Sequence, residues 1–218
     1  AINSLGEIEW SFDAGSSIST STGFVNLNNK VGLFFGTDLG LLYGLDENGH
    51  ILQGFPLNTN NSITITPSLS DLDNDGQAEI IFGNSGGQIF SYSIDAVPKQ
   101  FFPVNGYFSI IGSPSISDID LDDDLELVFG TTAGVSIVDY KSLGNNENYW
   151  NMYKGNMYRK GSFEINYEFE CDNFLAGDLD CNQFINISDV VIIVSIILDQ
   201  NQPNFYQGEA GDLNNDNI

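Results

Sequence analysis

An acidic loop followed by an apolar strand occurs twice in this chain at a fixed spacing. Ser68 to Tyr92 reads SLSDLDNDGQAEIIFGNSGGQIFSY, and Ser115 to Tyr140 reads SISDIDLDDDLELVFGTTAGVSIVDY. Asp71, Asp73, Asp75 and Glu79 match Asp118, Asp120, Asp122 and Glu126 at one offset (118 − 71 = 47). The same offset joins Pro67 to Pro114, Pro56 to Pro103, and Phe82-Gly83 to Phe129-Gly130. One more step back reaches Phe35-Gly36, a third copy whose acidic loop has decayed to Asn26-Leu27-Asn28-Asn29-Lys30. A period of roughly 40 to 50 residues with several short strands per unit suggests propeller blades. It does not suggest separate domains.

Carboxylates packed so closely repel one another unless a cation holds them. A tight loop aims alternate side chains at one centre, and Gly76 at the sixth position can take the positive φ that the reversal needs. The donors are all oxygen, with no His or Cys, so a hard ion is implied and calcium fits better than zinc. The candidate ligands are Asp71, Asp73, Asp75, Gln77 and Glu79 in the first loop. In the second they are Asp118, Asp120, Asp122, Asp124 and Glu126. Asp123 replaces the glycine there, at a cost of roughly 1 kcal/mol for positive φ. The second site is therefore expected to bind more weakly, unless its extra charge offsets the strain.

The balance of 6 Lys+Arg against 30 Asp+Glu, net −24, argues against nucleic acid and anionic membrane surfaces. No stretch approaches the roughly 20 apolar residues of a membrane span, so no membrane insertion is expected. Ala1-Ile2-Asn3-Ser4 lacks the charged start and apolar run of a signal peptide, which implies either that one has been removed or that the chain is an internal piece. Cys171 and Cys181 are the only cysteines, with no CxxC. A disulfide between them, which would suit a secreted protein, is expected over two free thiols.

Ile8 to Phe12 alternates like a strand, the last of a blade spanning residues 1–22 whose beginning is missing. The first visible blade then has strands Val31–Phe35, Leu41–Leu45 and His50–Leu52, with Asn48-Gly49 as a hairpin turn. His50 is the single histidine. With no Ser, Cys or metal cluster beside it, it reads as a surface residue, not a base. Gly83 to Gly87 lacks the Lys-Ser/Thr and helix of a phosphate cradle and reads as a hairpin. Residues 144–162 break the repeat. They are aromatic and carry Lys154, Arg159 and Lys160, with Lys141 just before. They read as a closing segment that packs Trp150, Met152 and Tyr153 onto the last blade, not as a nucleic-acid stacking platform. Phe163 to Phe169 alternates as a strand with one buried face.

A second kind of acidic motif begins at Gly177. Asp178, Asp180, Asn182, Asn186 and Asp189 fall at positions 1, 3, 5, 9 and 12 of an EF-hand spacing, with the backbone of Phe184 at position 7. Position 12 is Asp instead of Glu, and position 6 is Gln183 instead of Gly. Propensity alone makes Val190–Leu198 a buried strand, whereas a calcium loop leading into it argues for a helix. The motif restarts at Asp212, Asn214 and Asp216 with no twelfth-position partner, so the C-terminus looks truncated.

On DLDNDGQAEIIFG and DIDLDDDLELVFG, residues 24–143 resemble bacterial FG-GAP repeats, the blades of integrin-α-like propellers. The resemblance implies a seven-bladed or similar propeller, with calcium in loops between the first two strands of a blade. YWNMYKGNMYRKG resembles the Trp-containing closing strand of such propellers. On GDLDCNQFINISDVVIIVSIIL, residues 177–218 resemble a type I dockerin, which implies paired calcium loop–helix units that dock into a cohesin. The expected fold is thus mostly β: a partial β-propeller of about three blades over residues 23–169, then a small α unit over 170–218.

The expected function is a calcium-binding, non-catalytic interaction region of a secreted or cell-surface protein. Its blades would meet a protein or glycan ligand, and its dockerin would meet a cohesin scaffold. The alternative is the accessory C-terminal region of a secreted glycosidase or peptidase with its catalytic domain upstream. Asp123 and Asp124 are adjacent in one loop and would not flank a substrate as a glycosidase pair must. A quinone-binding propeller dehydrogenase would need paired cations that this chain scarcely has.

Overall fold

The computed structural model describes residues 1–27, 30–163, 177–179, 184–185 and 187–197. The chain divides into two compact units, Ala1–Ile165 and Asn166–Ile218.

The first unit holds three antiparallel sheets in chain order. β1 (Gly23–Asn26), β2 (Val31–Gly36), β3 (Leu41–Leu45) and β4 (Leu57–Asn58) form the first. β5 (Ser68–Ser70), β6 (Glu79–Gly83), β7 (Gln88–Ser93) and β8 (Val104–Asn105) form the second, and β9 (Ser115–Ser117), β10 (Asp124–Thr131) and β11 (Gly134–Leu143) the third. Every pairing is between strands consecutive in sequence. The first strands lie side by side, β5 next to β1 and next to β9. Three up-and-down sheets stacked at a repeat of this length are the arrangement of propeller blades.

Burial explains why β6 carries no hydrophobic alternation. Its side chains still point to opposite faces in turn. Ile80 and Phe82 join Val25, Phe34 and Leu42 of the first sheet. Ile81 joins Ile116, Leu127 and Phe129 of the third. The second sheet is covered on both faces, so every residue of β6 is buried. β11 is covered on one face only, and its side chains alternate between exposed and half-buried.

The Phe-Gly repeat has a packing cause. A Cβ on Gly36 would lie 2.2 Å from Cγ2 of Ile63, and one on Gly83 would lie 2.7 Å from Cγ1 of Ile110. These isoleucines lead into the next sheet. Ile63 donates its N–H to Thr37 O at 3.0 Å, and Ile110 donates to Asn84 O at 3.2 Å. Each glycine therefore admits the chain that starts the following blade.

Several expectations need correction. His50–Leu52 is not a strand and contributes only the bridge Leu45↔Ile51. Ile8 to Phe12 is likewise represented by one bridge, Ile2↔Ile8, with Trp10 and Phe12 packed on Phe35, Tyr43 and Leu45. Trp150 does not pack on the last blade. Its ring lies 5.1 Å from that of Phe24, within the cluster that holds Val25, Phe34 and Leu69. The backbone forces this route. Leu69 N donates to Trp150 O at 2.8 Å and Ile116 N to Asn151 O at 2.9 Å, so the segment threads between β5 and β9. Tyr153 is exposed. The third sheet consequently has no fourth strand among the described residues.

In the second unit, α1 (Ile187–Ile197) is a helix, as the loop argument required and propensity did not. The strand expected at Phe163–Phe169 lies outside the described residues beyond Phe163, as do Cys171 and Cys181.

Candidate metal centres

Each acidic loop joins the first and second strands of its sheet, and the two loops share one backbone design. Asp71 accepts the N–H groups of Asp75 (Oδ1, 3.1 Å) and Gly76 (Oδ2, 2.8 Å). Asp118 accepts those of Asp122 and Asp123, each at 3.2 Å, and that of Leu121 at 2.7 Å. At the far end Glu79 Oε2 accepts Leu72 N–H at 2.7 Å, and Glu126 Oε2 accepts Ile119 N–H at 2.6 Å. Two reversals per loop take positive φ: Asn74 (56°) and Gly76 (85°) in the first, Leu121 (64°) and Asp123 (70°) in the second. The sixth position was legible from sequence; the one at Asn74 and Leu121 was not.

The first loop gathers Asp71, Asp73 and Glu79, with an oxygen from each within 4.8 Å of the others. Asp75 and Gln77 stay exposed, and Asp75 Oδ1 accepts Gln77 N–H at 2.8 Å. The second loop gathers Asp120, Asp122, Asp124 and Glu126 to the same closeness. Asp118 stands outside that group. The two sets are therefore not superposable copies. Asp124, buried at the start of β10, supplies a carboxylate where the first loop has Gln77.

Two lysines enter these clusters. Lys99 Nζ lies 2.6 Å from Asp73 Oδ2 and 2.9 Å from Glu79 Oε1. Lys141 Nζ lies 2.9 Å from Asp122, 3.0 Å from Asp124 and 2.9 Å from Asp139. Lys141 was foreseeable, because β10 and β11 form one hairpin with Leu125 opposite Tyr140. Lys99 was not, since it sits in the β7–β8 connection, whose path no local pattern encodes.

Burial pushes Glu79 up to about 7, against the opposing pull of Lys99 and of the Leu72 amide. Burial also works against the Lys99 ammonium, but its bonds to Asp73 and Glu79 outweigh that and raise its pKa. In the second loop Asp120 and Asp124 are raised by desolvation and then by neighbouring carboxylates. Glu126 is held down by its bond from Ile119 N–H, but desolvation and the charges of Asp120 and Asp124 leave it raised overall. Asp122 is lowered by its bond from Lys141.

The donor chemistry fits a hard divalent cation: only oxygen, several carboxylates and a turn that converges them. Buried carboxylate oxygens without a hydrogen-bond partner add to that fit, namely Asp73 Oδ1, Asp124 Oδ1 and Glu126 Oε1. An unpaired anionic oxygen away from water is costly, and a cation would satisfy it.

The loops also touch a common strut. Gly144 N donates to Asp123 O at 3.2 Å, while Asn145 exchanges bonds with Asp71 at 2.7 and 3.0 Å. His50 is an exposed residue whose Nδ1 lies 3.1 Å from Asp46 Oδ2. Away from the loops, a groove of about 390 Å³ lies at the opposite end of β10, lined in part by Val104, Tyr107, Phe108, Val135 and Ile137.

In the second unit Asp178 and Asp189 are buried, Asp189 accepts Leu179 N–H at 2.8 Å, and Phe184 is exposed. Asp180, Asn182, Asn186, Asp212, Asn214 and Asp216 lie outside the described residues.

No protein-family model matches the sequence, and no curated protein matches it. Among solved structures, the chain is similar to one titled "The crystal structure of BamB from Moraxella catarrhalis". The TM-score is 0.44 at 17% identity, over 63% of this chain and 38% of that one. It is also similar to "Crystal structure of the V. cholerae biofilm matrix protein Bap1", with a TM-score of 0.48 at 16% identity over 62% of this chain and 26% of that one. The chain thus matches well under half the length of either.

Proposed function

We propose that this chain is a calcium-braced, non-catalytic binding region of a secreted or cell-surface protein, built from FG-GAP-like blades and a dockerin-like unit. The observation that carries the reading is the pair of acidic loops in register. Both lie between the first and second strands of a sheet, and both gather carboxylates to within 4.8 Å. In the second loop Asp120, Asp122, Asp124 and Glu126 would hold the ion. In the first, Asp71, Asp73 and Glu79 are the available oxygens. The ion's role is structural, since neutralised carboxylates let the loop close. The exposed Tyr107 and Phe108 beside the groove support a protein or glycan ligand for the blades.

For the second unit, Ile187, Val190, Val191 and Val194 are exposed at helical spacing on α1. That apolar stripe supports docking to a cohesin partner. No described helix is long and apolar enough to cross a membrane.

The test is calorimetric unfolding of the chain in 1 mM CaCl2 and in EDTA. Binding at about a hundredfold excess over Kd adds about 2.7 kcal/mol of stability, a shift of several degrees in Tm. Coincident transitions in the two buffers would remove calcium from the account.

A further inference from the structure

We propose that Lys99 is the resident cation of the first acidic loop, so that only the second loop takes a divalent ion at physiological concentration. This rests on the reading of these loops as cation sites and assigns different occupants to the two. The ammonium of Lys99, at 2.6 Å from Asp73 and 2.9 Å from Glu79, stands where an ion ligated by those oxygens would stand. Calcium–oxygen distances of about 2.3–2.6 Å leave no room for both. A metal must therefore expel the lysine.

The structure opposes that expulsion. The Lys99 side chain is 15% exposed, and the Glu79 side chain that holds it is 1% exposed. Lys99 N donates to Ser91 O at 3.0 Å, which pins its backbone beside β7. Swinging the ammonium out would break both ion pairs and require its repacking.

The second loop is the reverse case. Lys141 is 59% exposed and touches neither Asp120 nor Glu126. It can turn toward solvent while keeping Asp139, which lies outside the loop. Six acids stand in this loop, Asp118, Asp120, Asp122, Asp123, Asp124 and Glu126, against four in the first. Glu126 is 5% exposed and Asp124 is 7% exposed, yet Glu126 Oε1 and Asp124 Oδ1 have no hydrogen-bond partner. The corresponding atoms of the first loop are Asp73 Oδ1 and Glu79 Oε1. Lys99 Nζ lies 2.6 Å from the other oxygen of Asp73 and 2.9 Å from Glu79 Oε1 itself, whereas in the second loop Lys141 pairs with Asp124 Oδ2 and not with Glu126. Lys99 thus determines which loop is selective for a metal.

The experiment is a CaCl2 titration of the 15N-labelled full chain, read at the amides of Gly76 and Asp123. Residue-resolved signals keep the loops separate from any binding in residues 177–218. The Asp123 amide should shift at calcium concentrations about 100-fold below those that move Gly76, equivalent to about 2.7 kcal/mol of differential affinity. Lys99→Met should bring the Gly76 transition down toward that of Asp123, and Lys141→Met should leave the Gly76 transition in place. Gly76 and Asp123 moving together in the wild type would overturn the inference while leaving calcium binding intact, and this comparison needs no variant to fold. If neither amide moved at any calcium concentration, the cation reading would fall as well.

Discussion

The two acidic loops share most of their backbone hydrogen bonds, the second adding one from Leu121 N–H to Asp118, and have different means of tolerating their charge. In the first, Asn74 and Gly76 occupy the positive-φ positions, and a nearly buried lysine pairs with Asp73 and Glu79. In the second, Leu121 and Asp123 occupy those positions, and the lysine is exposed. The lysines do not come from equivalent sites: one lies in a connection, the other on β11. The repeat thus preserves a loop geometry that gathers oxygens, while each copy neutralises them with whatever cation its own surroundings bring close. The copy with more strain and less internal compensation has the greater need of an external ion.

The largest break in this comparison is expected from the lysines themselves. In EDTA at pH 8, Lys99→Met should cost about 3 kcal/mol in denaturant unfolding, because it leaves buried carboxylates unpaired. Lys141→Met should cost far less, as expected for an exposed pair. Equal costs would mean that burial does not distinguish the loops.

A smaller effect concerns pH. Glu79 is raised from 4.5 to about 7 in the folded chain, burial being the main cause. Between those values the folded state holds the proton more tightly than the unfolded state. Its contribution to stability therefore grows as pH falls through 7 and levels off below 4.5. The gain should be on the order of 2 kcal/mol in EDTA, allowing for solvent at the loop. Glu79→Gln should abolish that part of the slope, and a slope unchanged by the substitution would show that the proton is taken up elsewhere.

The smallest effect is conformational. Leu121→Asn copies the residue the first loop uses at that turn and should stabilise the fold by about 0.5–1 kcal/mol. Gly76→Ala should lose about 1 kcal/mol at φ 85°, where open space leaves backbone strain as the only penalty. A thermal melt of each variant would sharpen or erase the contrast in strain.

The repeat was legible because each of its marks has a local physical cause. Alternating carboxylates ahead of an apolar run define a loop and a strand, and the Phe-Gly pair marks a close approach. That approach is to Ile63 and Ile110, which lie at the same 47-residue offset as the loops. The sequence reading takes Asp71, Asp73, Asp75, Gln77 and Glu79 as one cluster and Asp118, Asp120, Asp122, Asp124 and Glu126 as another. The fold gathers Asp71, Asp73 and Glu79 of the first and Asp120, Asp122, Asp124 and Glu126 of the second, and leaves Asp75 and Gln77 exposed. Asp118 belonged to the same reading but lies outside its group, its carboxylate accepting loop amides. The path of Trp150 was misread because sequence adjacency to β11 suggested packing on the last sheet. Leu69 and Ile116, far away in sequence, draw it between β5 and β9 instead.

From its residues alone this chain determined a period, its short antiparallel strands and the oxygen-rich loops that open them, since all of these follow from neighbours within a few positions. Only the tertiary structure decided which cation each loop meets and where the closing segment runs. Lys99 reaches Glu79 from a connection twenty positions further along, and that encounter depends on how sheets stack, which no local pattern records.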